Sequence, residues 1–219
     1  MIYIILRKME IPLADWRALQ QSHPALNVVP DNLLAGTILL SVSASSTLFR
    51  KGSKPKYMLF VVAGELRLIR YTFNGAEVIL QRARTGFIAE ASLETHRYHC
   101  DIEAVQESLV LGFPIAAFQT ALTNNREFRR DWTCLLAQEV RRLRALCERL
   151  NLRKAEDRVV HFLEVEGARG VYRLLGTKKA WARELGLTHE VLYRTLRKLV
   201  AAERIHLVGD TIFLSNKSS

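Results

Sequence analysis

The 219-residue chain is short of cysteine, of acidic side chains and of long apolar runs, and each shortage excludes a class of protein. Cys100, Cys134 and Cys147 are widely spaced, with no CxxC pair. Three are too few for a disulfide scaffold or an ordinary cysteine-bound iron–sulfur cluster, and they fit a reducing cytoplasm. The apolar run Ile2–Leu6 is too short for a signal peptide's hydrophobic region or a membrane span. It reads as a packed strand or as an extension upstream of the true start. No low-complexity segment and no convincing internal repeat is present. Hydrophobic residues make up 49% and charged residues 25%, so a globular fold with a core is expected over a disordered one. The length suits two modest domains.

The deficit of acid leaves a formal net charge of +10, and it is uneven. Residues 1–120 contain 12 Lys/Arg and 10 Asp/Glu, a balance of +2; residues 121–219 contain 20 and 12, a balance of +8. A basic C-terminal half is the electrostatic footprint of a nucleic-acid binder, and equally the surface of any basic soluble domain.

That half contains the most informative stretch, Thr177–Leu199. It reads as two short helices hinged at Gly186, where a residue without Cβ takes positive φ at little cost. Ala180, Ala182 and Leu185 supply contacts on the first helix, and Thr188 suits the N-cap of the second. Val191, Leu192, Thr195, Leu196 and Leu199 form an inner stripe, leaving His189, Glu190, Tyr193, Arg194 and Arg197 for other faces. A short second helix with polar residues near its start is what helix-turn-helix recognition of a major groove requires. Ile205–Val208, the turn Gly209-Asp210 and Thr211–Leu214 then predict a hairpin, the wing of a winged helix.

Upstream, residues 10–22 predict a short helix around Trp16 and Leu19, and Asn32–Leu40 a further element. From about Thr47 to Phe118, short apolar runs recur between glycine turns: Tyr57–Val62, Gly64–Tyr71, Val78–Ala83, Ile102–Ala104 and Leu109–Phe113. Asn74-Gly75 is a strong hairpin signal, and the spacing predicts a small antiparallel barrel or jelly roll. Pro114–Phe118 ends this region. Asn124 or Asn125 can cap a long helix to about Asn151. In it Leu136, Val140, Leu143, Cys147 and Leu150 follow a 4-3-4-3 ladder flanked by Arg141, Arg142, Arg144, Glu148 and Arg149. The ladder suits a two-helix seam, or packing on the chain's own barrel, with Trp132 and Leu135 on the barrel in either case. Glu156–Val165 predicts one more helix, broken by Gly167 and Gly170 before a strand at Val171–Leu174.

This order of parts resembles the cyclic-AMP receptor protein/FNR (Crp/Fnr) family of bacterial transcription regulators, over about residues 30–215. The resemblance rests on Ala63-Gly64-Glu65-Leu66-Arg67-Leu68, on Gly86-Phe87-Ile88-Ala89-Glu90, and on the Gly186-Leu187-Thr188-His189-Glu190 hinge into Arg194. It implies an α+β fold: an antiparallel, cyclic-nucleotide-binding-like β-roll (1–120), a dimerisation helix (121–151) and a winged helix-turn-helix (152–219). It also implies that His189, Glu190 and Arg194 face base edges. Arg194 would fork onto guanine, while Glu190 would accept from cytosine and orient Arg194. His189 stands where arginine is common, so the preferred operator can differ. Thr177, Lys178, Lys179, Thr188 and Arg197 would hold phosphates. The plainer account of Glu190 and Arg194 is an exposed i, i+4 ion pair.

The resemblance raises the question of a roll ligand. Family members that bind a cyclic nucleotide carry Gly-Glu-Leu and, some ten residues on, Arg-Ser. Here the first reads Ala89-Glu90-Ala91, and anchoring on Ala104 places the second on Tyr98-His99. The phosphate-binding arginine is missing or displaced to Arg97, which removes a charge-assisted bond of about 1.5–3 kcal/mol. The effector-pocket candidates are therefore Glu90, Arg97, Tyr98 and His99. Cyclic nucleotide is not expected as the ligand, and Glu90 is expected to act as a structural acceptor for loop amides. His96, His99, Cys100 and Asp101 are conceivable ligands for zinc, copper or haem iron, but no second half-site has ligand spacing, so no metal is assigned. Cys100 alone would be a redox-sensitive thiol if its pKa were low.

The leading expectation is a cytoplasmic, homodimeric, sequence-specific binder of double-stranded DNA, not an enzyme, with RNA polymerase a further partner and no membrane. The alternatives are a cupin-like enzyme or carrier, which would need His96 and His99 to face a partner strand, and an architectural DNA binder whose roll senses nothing.

Overall fold

A computed structural model describes residues 12–75, 77–174 and 177–215, so the Ile2–Leu6 run lies outside the described residues. The chain divides into two compact units, Met1–Leu136 and Ala137–Ser219.

The first unit is built on two four-stranded antiparallel sheets. One has the order β1 (Ile38–Val42), β8 (Ser108–Pro114), β3 (Tyr57–Ala63), β6 (Gly86–Ile88). The other runs β2 (Thr47–Phe49), β7 (Asp101–Ala104), β4 (Leu66–Tyr71), β5 (Glu77–Ala83). Strand β3 explains the layering. It is a continuous apolar run because both its faces are covered. Leu59 and Val61 point into the roll, with Ile38, Leu40, Leu66, Leu68, Ile102 and Val110. Met58 and Phe60 point to the other side, into a second core with Trp16, Phe87, Phe113, Phe118, Phe128 and Trp132. Helices α1 (Leu13–Ser22), α2 (Ile115–Asn124) and the start of α3 (Arg126–Asn151) supply that second layer.

Helix α2 was not expected. Pro114 was read as a terminator, but proline is tolerated just before a helix's first turn, where its missing N–H is not needed. It precedes an apolar helix that buries Phe118 and Ala121. The expected element at Asn32–Leu40 is two elements, a 3-10 turn at Asp31–Leu34 and then β1. A further short strand, β6, begins at Gly86. Asn125 caps α3, its Oδ1 accepting from Phe128 N at 3.0 Å. Trp132 packs on Phe87 and Phe118, each with ring centroids 5.0 Å apart, as the barrel-side reading requires. Leu136, the first rung of the ladder, is half-buried against the same core.

The glycine between β3 and β4 is a steric necessity. Gly64 has φ +95°, and a Cβ there would run into Ser108 Oγ and stand 2.6 Å from Glu107 O and Ser108 Cα. Its neighbour Glu65 is 7% exposed and is held by Arg82 Nη1 at 2.8 Å and Arg84 Nε at 2.9 Å. Burial pushes its carboxyl pKa up. The hydrogen bonds and charges of Arg84 and Arg82 outweigh burial, so the net shift is downward.

The second unit holds the rest of α3, then α4 (Ala155–Glu166), β9 (Val171–Arg173), α5 (Lys178–Glu184), α6 (His189–Ala201), β10 (Ile205–Val208) and β11 (Thr211–Leu214). The three strands form one antiparallel sheet in the order β10-β11-β9. Val159, Phe162, Leu163, Trp181, Leu192, Leu196 and Ile212 make its core. Trp181 was missed by a reading that stressed Ala180 and Ala182; it is 2% exposed, packed on Phe162 and Tyr172. Arg149, read as a polar flank of the ladder, is also 2% exposed, with its guanidinium over the Phe162 ring at 4.5 Å.

A carboxyl pKa lowered on folding stabilises fully above the unfolded value near 4.5 and ceases to do so as pH falls through the folded value. Glu65→Gln should therefore cost about 1–2 kcal/mol at pH 7, the scale of partly exposed charged hydrogen bonds. The cost should vanish in acid, giving a flatter acid limb in urea-unfolding midpoints measured from pH 7 downward.

Candidate nucleic-acid interface

The turn between α5 and α6 is a Schellman motif. Leu187 N donates to Ala182 O at 2.8 Å and Gly186 N to Arg183 O at 3.1 Å, with Gly186 at φ +65°. Both helices are capped, α6 by Thr188 as expected and α5 by Thr177, which the sequence reading had assigned only to phosphate. Thr177 Oγ1 accepts from Ala180 N and Thr188 Oγ1 from Val191 N, each at 3.2 Å. The inner stripe is in place, with Leu192, Thr195, Leu196 and Leu199 buried.

What remains outside is a polar face. His189, Glu190, Arg194 and Arg197 on α6 are exposed, as are Thr177, Lys179 and Thr188; Lys178 is half-buried. Glu190 and Arg194 make no hydrogen bond or ion pair with each other, so neither the expected orienting contact nor the plain i, i+4 pair is formed in the free protein. An arrangement that sequence spacing did not single out lies beside them. The Tyr193 ring meets His189 edge-on, centroids 4.5 Å apart, and Lys178 Nζ lies 5.4 Å from its centre.

The element was legible, but its anchor was not. Arg158, on the first turn of α4, donates to Leu152 O from Nε at 2.8 Å, to Gly186 O from Nη1 at 3.1 Å, and to Leu150 O from Nη2 at 3.4 Å. One side chain thus caps a carbonyl in the last turn of α3 and one just past its end, and holds the carbonyl of the turn glycine. The site is also tight for anything larger than glycine, since a Cβ on residue 186 would stand 3.0 Å from Leu150 Cδ2 and 3.2 Å from Arg158 Nη1. The ladder residues Val140, Leu143 and Leu150 are 40–48% exposed, and Cys147 is exposed.

The effector candidates in the roll do not converge on one ligand. Glu90 acts as an acceptor, its two oxygens 3.2 and 3.1 Å from Gln81 Nε2, while Gln81 Oε1 accepts from Ala89 N. Ala89 stands where the resemblance expects glycine, and it keeps a left-handed backbone at φ +64°. Arg97 is exposed and donates to Gly52 O at 2.9 Å. Tyr98 turns inward, 2% exposed and stacked on Phe49 at 5.0 Å, and His99 turns out. Burial raises the Tyr98 phenol above its ordinary range and pushes the Cys100 thiol up to about 11, which leaves little thiolate at neutral pH. The loop at 95–100 is neither helix nor strand, His96 and His99 are both exposed, and Asp101 Oδ1 accepts from Lys51 N at 2.6 Å. Among the described residues no three His, Cys, Asp or Glu side chains group as metal ligands. No helix of the described residues is long and apolar enough to cross a membrane.

Residues 39–125, most of the roll, match the protein family described as cyclic nucleotide-binding domain. No curated protein matches the chain's sequence. Solved structures share its fold over most of the chain. FixK2 from Bradyrhizobium japonicum is 20% identical over 83% of this chain and 93% of its own, with a TM-score of 0.61. CLP from Xanthomonas campestris, a c-di-GMP responsive global regulator, is 20% identical over 89% and 99%, with a TM-score of 0.55. DNR from Pseudomonas aeruginosa is 23% identical over 92% and 94%, with a TM-score of 0.51. The expected Crp/Fnr-type fold of β-roll, long helix and C-terminal winged unit is the one observed.

Arg158→Ala should destabilise the winged unit by about 1.5–3 kcal/mol, the scale of hydrogen bonds from a charged donor. Arg158→Lys, with no fork to reach three carbonyls, should recover less than half of that. Thermal unfolding of the three proteins in a Trp16→Phe/Trp132→Phe background, followed by the fluorescence of the remaining Trp181, checks this; an unchanged midpoint for Arg158→Ala would contradict it.

Proposed function

We propose that this chain is a dimeric, sequence-specific DNA-binding transcription regulator of the Crp/Fnr type, and that its roll does not respond to cyclic AMP. The observation that carries the reading is the face of α6. Its apolar side is buried, its N-terminus is capped by Thr188, and His189, Glu190 and Arg194 are exposed near that N-terminus, as a helix that reads a major groove requires. The +8 balance of residues 121–219 supports a polyanionic partner. The exposed Val140, Leu143, Cys147 and Leu150 support a seam with a second copy, which would pair two recognition helices on a two-fold operator.

The residues of the roll do not fit a cyclic nucleotide. Tyr98 occupies the position of the phosphate-binding arginine and fills the interior against Phe49. Arg97, the displaced candidate, is engaged by Gly52 O, and the Glu90 carboxylate is engaged by the Gln81 amide. The Xanthomonas relative is c-di-GMP responsive, so effectors of proteins with this fold extend beyond cyclic AMP.

Selection of bound duplexes from a random pool by the purified chain should return one palindromic site. Arg194→Ala should lose about 1–3 kcal/mol of discrimination at one base pair of each half-site. Salt-dependent binding with no preferred site would favour the architectural reading, and turnover of a small molecule would favour the cupin-like one. In a thermal-shift titration, cyclic AMP and cyclic GMP should leave the midpoint unchanged. Saturable stabilisation by either overturns the negative half of the proposal.

A further inference from the structure

The exposed face of α6 contains one aromatic side chain that the base-reading and phosphate-holding assignments leave without a role. Tyr193 is 38% exposed and lies one helical turn after His189, on the same face. Long side chains on a helix lean toward its N-terminus, and this lean brings the phenol over His189. The imidazole meets it at 63° with centroids 4.5 Å apart, an edge-to-face aromatic pair. On the other side Lys178, the first residue of α5, brings its ammonium 5.4 Å from the ring centre, within cation–π range. One ring therefore touches the first residue of each helix of the motif. One of these is assigned to phosphate and the other to a base edge.

We propose that Tyr193 is a positioning and specificity-determining residue of this interface: its ring holds Lys178 and His189 in their DNA-facing orientations before DNA arrives. The inference rests on the DNA-binding reading above. Lysine has among the most rotamer freedom to lose on forming a contact, so a ring face that already localises the ammonium lowers the entropy cost of gripping phosphate. An ammonium on a ring face still has donors to give to an oxygen. Phosphate contacts fix register, and register decides which base edge His189 meets. The ring thus couples a contact blind to sequence to one that reads it. No hydrogen bond, ion pair or cation–π contact joins Arg194 to Tyr193, His189 or Lys178, so its base preference serves as the internal control.

The test uses the full chain on its selected operator, with binding followed by fluorescence anisotropy against single-base variants. His189→Ala first locates the base pair that His189 reads. Tyr193→Ala and Tyr193→Leu should each lose about five- to tenfold of the preference at that same pair, with the preference that Arg194→Ala abolishes unchanged. Tyr193→Phe, which keeps the ring, should stay within about twofold of wild type. Lys178→Ala should cost less affinity in the Tyr193→Ala background than in the wild type, the mark of coupled residues. Tyr193→Leu preserves bulk without a π face, which keeps the test valid if the alanine variant unfolds. Strict additivity of Lys178 and Tyr193, or an unchanged profile in Tyr193→Leu, overturns the proposal while leaving the DNA-binding reading intact. A Tyr193→Phe loss as large as that of Tyr193→Ala also overturns it, because it places the hydroxyl and not the ring at the DNA. A wild-type chain that selects no site removes the DNA-binding reading itself, and the proposal with it.

Discussion

The winged unit depends on one guanidinium. Arg158 gathers the carbonyls of Leu150, Leu152 and Gly186, which belong to the end of α3, the segment after it and the turn of the helix-turn-helix. Each is a backbone acceptor that the regular elements leave without a partner, and a forked, permanently charged donor satisfies all three at once. The positions around it follow from that contact. Glycine suits position 186 because its φ is +65° and because a Cβ would crowd the tips of both Leu150 and Arg158. With the turn fixed, Thr188 caps α6 and the inner stripe sets its rotation, so the polar face is aimed by packing on the opposite side. Beneath it, Arg149 lies buried on the Phe162 ring near Glu166, a second cation used for structure and not for binding.

The roll is organised by a different constraint. A sheet buried on both faces needs apolar residues at consecutive positions, and Met58–Val61 supplies them. The inner core is completed by aromatic and sulfur side chains from the loop after β6: Tyr98 against Phe49, with Cys100 beside it in the same cluster. The inward turn of Tyr98 fills the roll at a position that the resemblance gives to an arginine.

The elements with local signatures were legible in the sequence. Asn74-Gly75 marked the β4–β5 hairpin, Thr188 the start of α6, Gly186 the hinge, and Gly209-Asp210 the wing. Helix α2 was hidden because Pro114 both ends a strand and precedes a helix, and only the packing of Phe118 decides between the two meanings. Arg158 was invisible for another reason. Its partners are backbone carbonyls 6, 8 and 28 residues away, and a carbonyl carries no sequence signature. Tyr193 lay between these cases. Its spacing from His189 is a readable i, i+4 pair, but Lys178 joins it only through the tertiary turn. Glu190 and Arg194, paired in the sequence reading, stand apart in the free protein because two exposed charges gain little from each other in water.

The central claim is that two copies of α6 read a two-fold site in adjacent major grooves. Hydroxyl-radical footprinting of the chain on its selected operator tests this directly. The account predicts two protected segments related by a dyad and centred about one helical turn, roughly 34 Å, apart, as two recognition helices require. Protection of a single half-site, or continuous protection without a dyad, would contradict it.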